Sequence, residues 1–464
     1  MLCMPESVCA SDTPHAAPRS FATAQVQAGF VPGVAENTAV PSIHQSNAFE
    51  FRSLSEARDL FALRKDGNIY SRAANPTVLV FERRVAELEG GIAAAGVSSG
   101  QAAVAVALLA LAKQGEHIVA ARQLYGGTVD LLNDTFADWG IDVTFVDQDD
   151  LGAWQAAIRP TTRALFAESI SNPIAQVLDL GAVAAVARRA GVPLVIDNTV
   201  ATPYLQRAKD FGADIVVHSA TKFLGGHGTS LGGVVVDLGT FDFTAEPDRW
   251  PQLTQTYARV PDGSLVERFG ATGSPYIALV KTKYVHDLGP SLSAFNAFQL
   301  LQGIETLDLR VQRHTSSALT VARFLETHPA VARVHHPGLE SSPWHRSAQT
   351  YLPRGASSVF AFDLPASGDD EADFRLVEEV IARLQVVKLV ANIGDARSLV
   401  AHPASMTHSH MTPTQLAEAH IGSTTVRLSI GLEDPRDIVE DLARALDPLV
   451  VAPGQPALAE SRTQ

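Results

Sequence analysis

Residues 214–237 read DIVVHSATKFLGGHGTSLGGVVVD. Two apolar, β-branched runs enclose a histidine, several hydroxyl residues, one lysine and a cluster of glycines, a pattern that predicts strand, loop, strand. A lone lysine just past a strand is ordinarily a solvated charge that ends it, so the role of Lys222 has to be argued from its surroundings.

Working outward, the runs HIVAA (117–121), VTFVD (143–147), RALFAES (163–169), PLVIDNT (193–199) and DIVVHSA (214–220) alternate with Ala- and Leu-rich stretches such as LGAVAAVARRAG (180–191). Strands apolar on both faces with helices between them predict an α/β unit, its mostly parallel sheet covered on both sides. Ligands of such sheets lie beyond the carboxyl ends of the strands. From about residue 290 the rhythm changes: SAFNAFQLLQGIETLDLRVQRHTSSALTVARFLETH (293–328) predicts long helices, and SSVFAFDL (357–364) and TVRLSIGL (425–432) predict strands. The expected division is therefore a disordered tip and extended arm over 1–74, a large domain over 75–290, and a smaller α+β domain with a frayed tail over 291–464. The Asp-, Pro- and Gly-bearing stretch 241–275 reads as a surface loop.

Composition narrows the function classes. The chain has 464 residues, 46% hydrophobic, enough for at least two cores, and its net charge of −14 argues against a nucleic-acid partner. Its two cysteines, Cys3 and Cys9, cannot organise a disulfide framework, and the N-terminus lacks the basic and apolar regions of a secretory signal, so a cytoplasmic protein is expected. The longest apolar run, AAVAVALLALA (102–112), is too short to span a bilayer and predicts a buried helix; no membrane association is expected.

The strand ends hold the candidate chemistry. Asp197 closes an apolar strand, and a buried carboxylate needs a cationic or proton-sharing partner, although an aspartate there equally suits a cap for the next helix. Ser99, Gly100 and Gln101 stand at the mouth of the apolar helix, where unpaired N–H groups favour a phosphate, although Ser99 also suits an ordinary cap. Ser219 and Thr221, at i and i+2, present hydroxyls to one side just before Lys222. Tyr70 and Arg72 share that spacing in the arm, where the guanidinium is either surface charge or a phosphate donor. Tyr125 could stack on a planar ligand or pack in the core. An amine, a buried acid, a helix-end phosphate site, an arginine and a stacking ring are together the parts that hold pyridoxal 5′-phosphate, with Lys222 forming the Schiff base. The glycine cluster at 225–233 does not suit a nicotinamide dinucleotide, because it leads into a strand rather than a helix. The histidines of HPASMTHSH (402–410) lack metal-ligand spacing, and no metal is expected.

The segments YSRAANPT, SSGQAAV, LYGGT, ESISNP, VIDNTVATPYL, HSATKFLGGHGTSLGG, NAFQLLQGIETLDLR and VRLSIGLED resemble, in order and spacing, the Cys/Met-metabolism family of pyridoxal-phosphate enzymes. The resemblance runs from about residue 22 to 447. It implies the aspartate-aminotransferase-like fold (fold type I) and a homodimer, commonly paired into a homotetramer, with Tyr70 and Arg72 reaching the neighbouring subunit's phosphate. It further implies Lys222 as the Schiff-base lysine, Asp197 as partner of the pyridine nitrogen, Tyr125 as the stacking ring and Asn172 near the cofactor's phenolic oxygen. Ser99, Gly100, Gln101, Ser219 and Thr221 would hold the phosphate. Arg427, with Ser398 nearby, would bind the substrate carboxylate.

The stretch NIGDARSLVAHPASMTH (392–408) is similar to the O-acetylhomoserine sulfhydrylase subgroup, whereas the synthases and lyases of cystathionine and the methionine γ-lyases tend to carry Ser-Leu-Gly-Gly there. Gly127 stands where methionine γ-lyases often have cysteine. The implied reaction is γ-replacement on O-acetylhomoserine by sulfide or methanethiol, with cystathionine γ-synthase or γ-lyase activity as the alternative.

Overall fold

The computed structural model describes residues 19–31, 38–260, 263–271 and 273–450. Cys3, Cys9, the tip and the tail beyond 450 lie outside the described residues.

The large sheet contains β1 (Ala93–Val97), β2 (His117–Ala121), β3 (Asp142–Val146), β4 (Thr162–Glu168), β5 (Leu194–Asp197), β6 (Ile215–Ser219) and β7 (Gly233–Asp237), in the order β1-β7-β6-β5-β4-β2-β3. Strands β2 to β6 pair in parallel, as the alternating pattern predicts. Strand β7 runs antiparallel to β1 and β6, because residues 220–232 form a loop with no crossover helix to reverse the chain.

Helix α1 (Pro76–Glu89) starts on Asn75, whose side chain accepts from Thr77 N, and ends at Gly90 in the left-handed region, φ 71°. Helix α2 (Gly100–Leu109) is the buried apolar helix and packs against β6 and β7. Helix α3 (Leu180–Ala190) has a buried face of Leu180, Val183, Ala184, Val186 and Ala187, with Arg188 and Arg189 in its last turn. Helices α4 (Ala294–Ile304) and α5 (Leu307–Thr327) lead to the second sheet. That sheet contains β8 (Arg333–His335), β9 (Val359–Asp363), β10 (Lys388–Leu389), β11 (Leu399–Ala401) and β12 (Thr425–Ser429), ordered β10-β11-β12-β9-β8 and antiparallel except for the β10–β11 pair. Among the described residues, no helix is long and apolar enough to cross a membrane.

Two expectations need correction. The stretch 241–275 is not a simple surface loop: it contains helices Pro251–Thr254 and Leu265–Phe269 and buries Phe243, Trp250, Leu253 and Leu265. Its aromatic residues hold it down, with Phe243 5.4 Å from Trp250 and stacked 5.9 Å from Tyr276. The arm is not extended throughout, since it includes helices Phe21–Gln27 and Leu54–Phe61, the second capped by the Ser53 side chain accepting from Glu56 N.

The loop carrying Lys222 is braced from behind by α4 and α5. The Arg310 guanidinium donates to Phe223 O at 2.9 Å and to Gly303 O at 2.7 Å. A methyl group at Gly303 would lie 2.2 Å from Gly225 O and 2.6 Å from Leu224 O, so α4 can approach this backbone only through glycine. Gly303→Ala is expected to cost about 1–3 kcal/mol by overpacking, measured as a lower urea midpoint at unchanged slope.

Candidate active site

The carboxyl ends of β4, β5 and β6 open into a cavity of about 240 Å³ that also receives the N-terminus of α2 and residues 391–393. The Ser99 side chain accepts from Ala102 N at 3.1 Å, leaving the opening N–H groups of α2 directed at the cavity. Gly100 allows that approach: a Cβ there would lie 2.5 Å from the Ser219 Cβ. Ser219 and Thr221 line the same end, and Thr221 Oγ1 is anchored by donating to Gly232 O at 3.2 Å. Gln101 lines the cavity too, but its amide also donates to Gly127 O at 2.7 Å, tying α2 to the loop of Tyr125. Opposed hydroxyls and helix N–H groups form a donor set for a phosphate.

Lys222 projects into this space, its Nζ 2.6 Å from Asn392 Oδ1. Burial, and secondarily the positive charge of Arg427, lower its pKa to about 8, within reach of a free-base amine near neutrality. Asp197 lies on the cavity floor and accepts from Thr199 N at 3.0 Å. The β4–β5 register sets it directly beside Glu168, whose Oε1 accepts from Tyr125 N at 2.6 Å. Burial and then the Asp197 charge push the Glu168 carboxyl well above the usual range. Asp197 is also raised by burial, against the pull of its Thr199 hydrogen bonds. Neither carboxyl has an ion-pair partner among the described residues.

Arg427 sits in β12 between β9 and β11, not on an edge, and is 2% exposed. It donates to Asn172 Oδ1 at 3.3 Å and to Asn392 O at 3.0 Å, and burial lowers its pKa to about 10. A buried guanidinium aimed at a cavity is suited to a carboxylate ligand. The Tyr125 ring is half-exposed at the mouth and lies over Gly127, where a Cβ would approach within 2.7 Å of the ring.

The structure thus brings together Ser99, Gly100, Gln101, Tyr125 and Asn172 with Asp197, Ser219, Thr221, Lys222 and Arg427. Three expected residues are not in the cavity. Tyr70 and Arg72 lie on the arm, with the Arg72 guanidinium 5.5 Å from the Tyr70 ring and donating to His286 O at 3.1 Å. Ser398 is a correction: it is fully buried, donates to Glu433 Oε2 at 2.8 Å and accepts from Gly431 N at 2.9 Å, so its hydroxyl is occupied beneath the sheet. Asn392, six residues earlier in the same segment, reaches Lys222 instead. Asn392, Glu168 and Thr199 were missed although each lies inside or beside a quoted motif. Only Asn392 carried a signal, the departure from Ser-Leu-Gly-Gly.

Pyridoxal phosphate fits these residues: the glycine-lined donor cradle receives a phosphate, the amine receives an aldehyde, and Asp197, lacking a cationic side-chain partner, receives a protonated ring nitrogen. The family model for Cys/Met metabolism PLP-dependent enzymes matches residues 22–447. The chain belongs to this family. It is accordingly a pyridoxal-phosphate-dependent enzyme of aspartate-aminotransferase-like architecture. Its relatives include O-acetyl-L-homoserine sulfhydrylases of Corynebacterium glutamicum, 44% identical over 93% of this chain and 98% of the relative, and of Leptospira meyeri, 42% identical over 92% and 97%. A structure named for an O-acetylhomoserine (thiol)-lyase of Campylobacter jejuni, solved with N′-pyridoxyl-lysine-5′-monophosphate, superposes with a TM-score of 0.87 at 33% identity, covering 92% of this chain and 100% of that one.

The lowered lysine pKa has a thermodynamic signature in this family member. Burial lowers Lys222 to about 8 in the folded chain from the ordinary lysine value of 10.5, so between these values the unfolded chain binds the extra proton and stability climbs with pH. Below the window the cost of the buried charge is fully present. In cofactor-stripped protein, the Tm of Lys222→Met minus that of wild type is expected to be largest below pH 8 and to shrink toward pH 10, read by thermal unfolding across pH.

Proposed function

We propose that the protein catalyses γ-replacement on O-acetyl-L-homoserine, exchanging acetate for sulfide or methanethiol and releasing homocysteine or methionine. The observation that carries this reading is the 2.6 Å contact of Lys222 Nζ with Asn392, because it sets the segment that distinguishes the sulfhydrylase subgroup directly on the catalytic amine. Its kinship with the two sulfhydrylases supports the same reaction over the alternatives.

Bound pyridoxal phosphate supplies an aldehyde for the substrate amine and a ring that accepts electrons from the α-carbon. The protein supplies the rest. Arg427, steadied by Asn172 and the Asn392 carbonyl, holds the substrate carboxylate and so fixes which bond at the α-carbon faces the lysine. Lys222, a base near neutral pH, would take the α-proton, hand it on and so regain its lone pair, and then take a β-proton within the same radius as the γ-carbon–oxygen bond breaks and acetate leaves with that electron pair. Asn392 Oδ1 holds the amine between transfers. Asp197 would hold a proton on the ring nitrogen, and Tyr125, at the mouth, would cover the ring. The entering thiolate bonds to the γ-carbon, and the protons return through Lys222.

The reading extends to assembly and compartment. Tyr70 and Arg72, outside the cavity of their own chain, would complete the phosphate site of a second copy, making the active unit a homodimer that pairs into a homotetramer. The compartment is the cytoplasm, in keeping with only two cysteines in 464 residues.

Steady-state assays with O-acetyl- and O-succinyl-homoserine, each with sulfide, methanethiol or no thiol, test the assignment. O-acetylhomoserine with a thiol is expected to dominate; ammonia and 2-oxobutyrate released equally fast without thiol would instead identify elimination. Lys222→Ala is expected to lose turnover and the yellow colour together. Arg427→Ala is expected to lower kcat/KM about 10²-fold, equivalent to ~3 kcal/mol, mostly through KM for the amino acid.

A further inference from the structure

Glu89 is the last residue of α1, and its carboxylate is completely buried. The two glycines after it explain how. Gly90 turns left-handed, and Gly91 lies so close to β7 that a Cβ would stand 2.4 Å from Val236 Cγ1 and 2.8 Å from Asp237 O. The end of α1 is thereby driven against the sheet.

One oxygen of this carboxylate holds two strand ends. Glu89 Oε1 accepts from His218 Nε2 at 2.7 Å and from Asn198 Nδ2 at 2.9 Å. Asn198 follows Asp197 at the end of β5, and His218 precedes Ser219 at the end of β6. Successive residues of a strand face opposite ways, so Asn198 and His218 point away from the face that carries Asp197 and Ser219. None of the three lines the cavity. Two further bonds repeat the tie, with Asn198 N donating to Val217 O at 3.0 Å and Ser219 N to the Thr199 side-chain Oγ1 at 2.8 Å.

Stability alone does not account for this cluster. A buried ion pair seldom outperforms apolar residues of the same volume, and here Glu89 Oε2, His218 Nδ1 and Asn198 Oδ1 are buried without a protein hydrogen-bond partner. What it does achieve is geometric. Its strands deliver the acid and the amine that must meet one ring from two sides.

We propose that Glu89 is a positioning residue: by gripping His218 and Asn198 from the far face of the sheet, it sets the placement of Asp197 relative to Lys222 and the phosphate-binding hydroxyls. The inference rests on Asp197 serving as partner of the cofactor's ring nitrogen.

The test compares Glu89→Ala, Glu89→Gln and Asp197→Ala with wild type. Five quantities are read: affinity of the apoenzyme for pyridoxal phosphate, visible circular dichroism per bound cofactor, kcat, KM, and far-ultraviolet circular dichroism. Glu89→Ala is expected to weaken cofactor affinity about tenfold or more, in the range seen when an outer partner of a ligand-holding group is lost, and to change the visible dichroism while the far-ultraviolet spectrum is preserved. Its kcat falls more than its KM changes. Glu89→Gln, which keeps an acceptor oxygen in place, recovers most of the affinity and the signal.

Wild-type affinity and visible dichroism in Glu89→Ala would overturn the proposal. If Glu89→Ala does not fold, Asn198→Ala cuts one strand tie and is expected to move the same two readouts; if they stay at wild-type values, the proposal is overturned. Asp197→Ala separates the two levels. An unaffected Asp197→Ala removes the premise about the ring nitrogen, whereas an impaired Asp197→Ala beside an unaffected Glu89→Ala removes only the role of Glu89.

Discussion

The structure turns on the cost of keeping an amine out of water. Lys222 is withdrawn into a cavity where Arg427 adds a second positive charge, and both effects favour its neutral form. A lysine in that state can form a covalent bond with an aldehyde and can exchange protons, whereas a solvated one at neutral pH stays charged. Everything around it serves to hold that unfavourable arrangement: the Asn392 contact in front, and behind it the loop fastened by Arg310 and the close approach of Gly303.

The acids pose the complementary problem. Asp197 and Glu168 are neighbours across two parallel strands, and two carboxyls so placed cannot both be ionised without a cation. Burial raises both carboxyls, and a protonated ring nitrogen arriving at Asp197 on the cavity floor would supply the missing cation. Parallel strands make this pairing possible because their carboxyl ends converge, and the same convergence delivers Ser219, Thr221 and the N-terminus of α2 to the phosphate end.

Much of this was readable in one dimension because it depends on local patterns. Apolar runs separated by helix-length stretches specify parallel strands, and the residues ending those runs had to fall at one edge of the sheet. Asp197, Ser219, Thr221 and Lys222 follow from that rule alone. The aromatic stretch 241–275 misled because its Pro, Gly and Asp residues mark turns, while burial was decided by Phe243 and Trp250 finding Tyr276. Ser398 misled for a different reason: the resemblance implied it near the substrate carboxylate, but Glu433 captured its hydroxyl.

By itself the sequence determined the α/β class, the parallel pairing of the central strands, the lysine and the acid at their ends, and the kind of cofactor those groups can hold, since periodicity and strand-end chemistry are local properties. The tertiary structure alone decided that Asn392 meets the amine, that Glu168 stands beside Asp197, and that Glu89 reaches through to the ends of β5 and β6. Those contacts join residues from 29 to 170 positions apart, and no pattern within a single segment encodes which distant side chain will arrive at a given strand end when the sheets and helices pack.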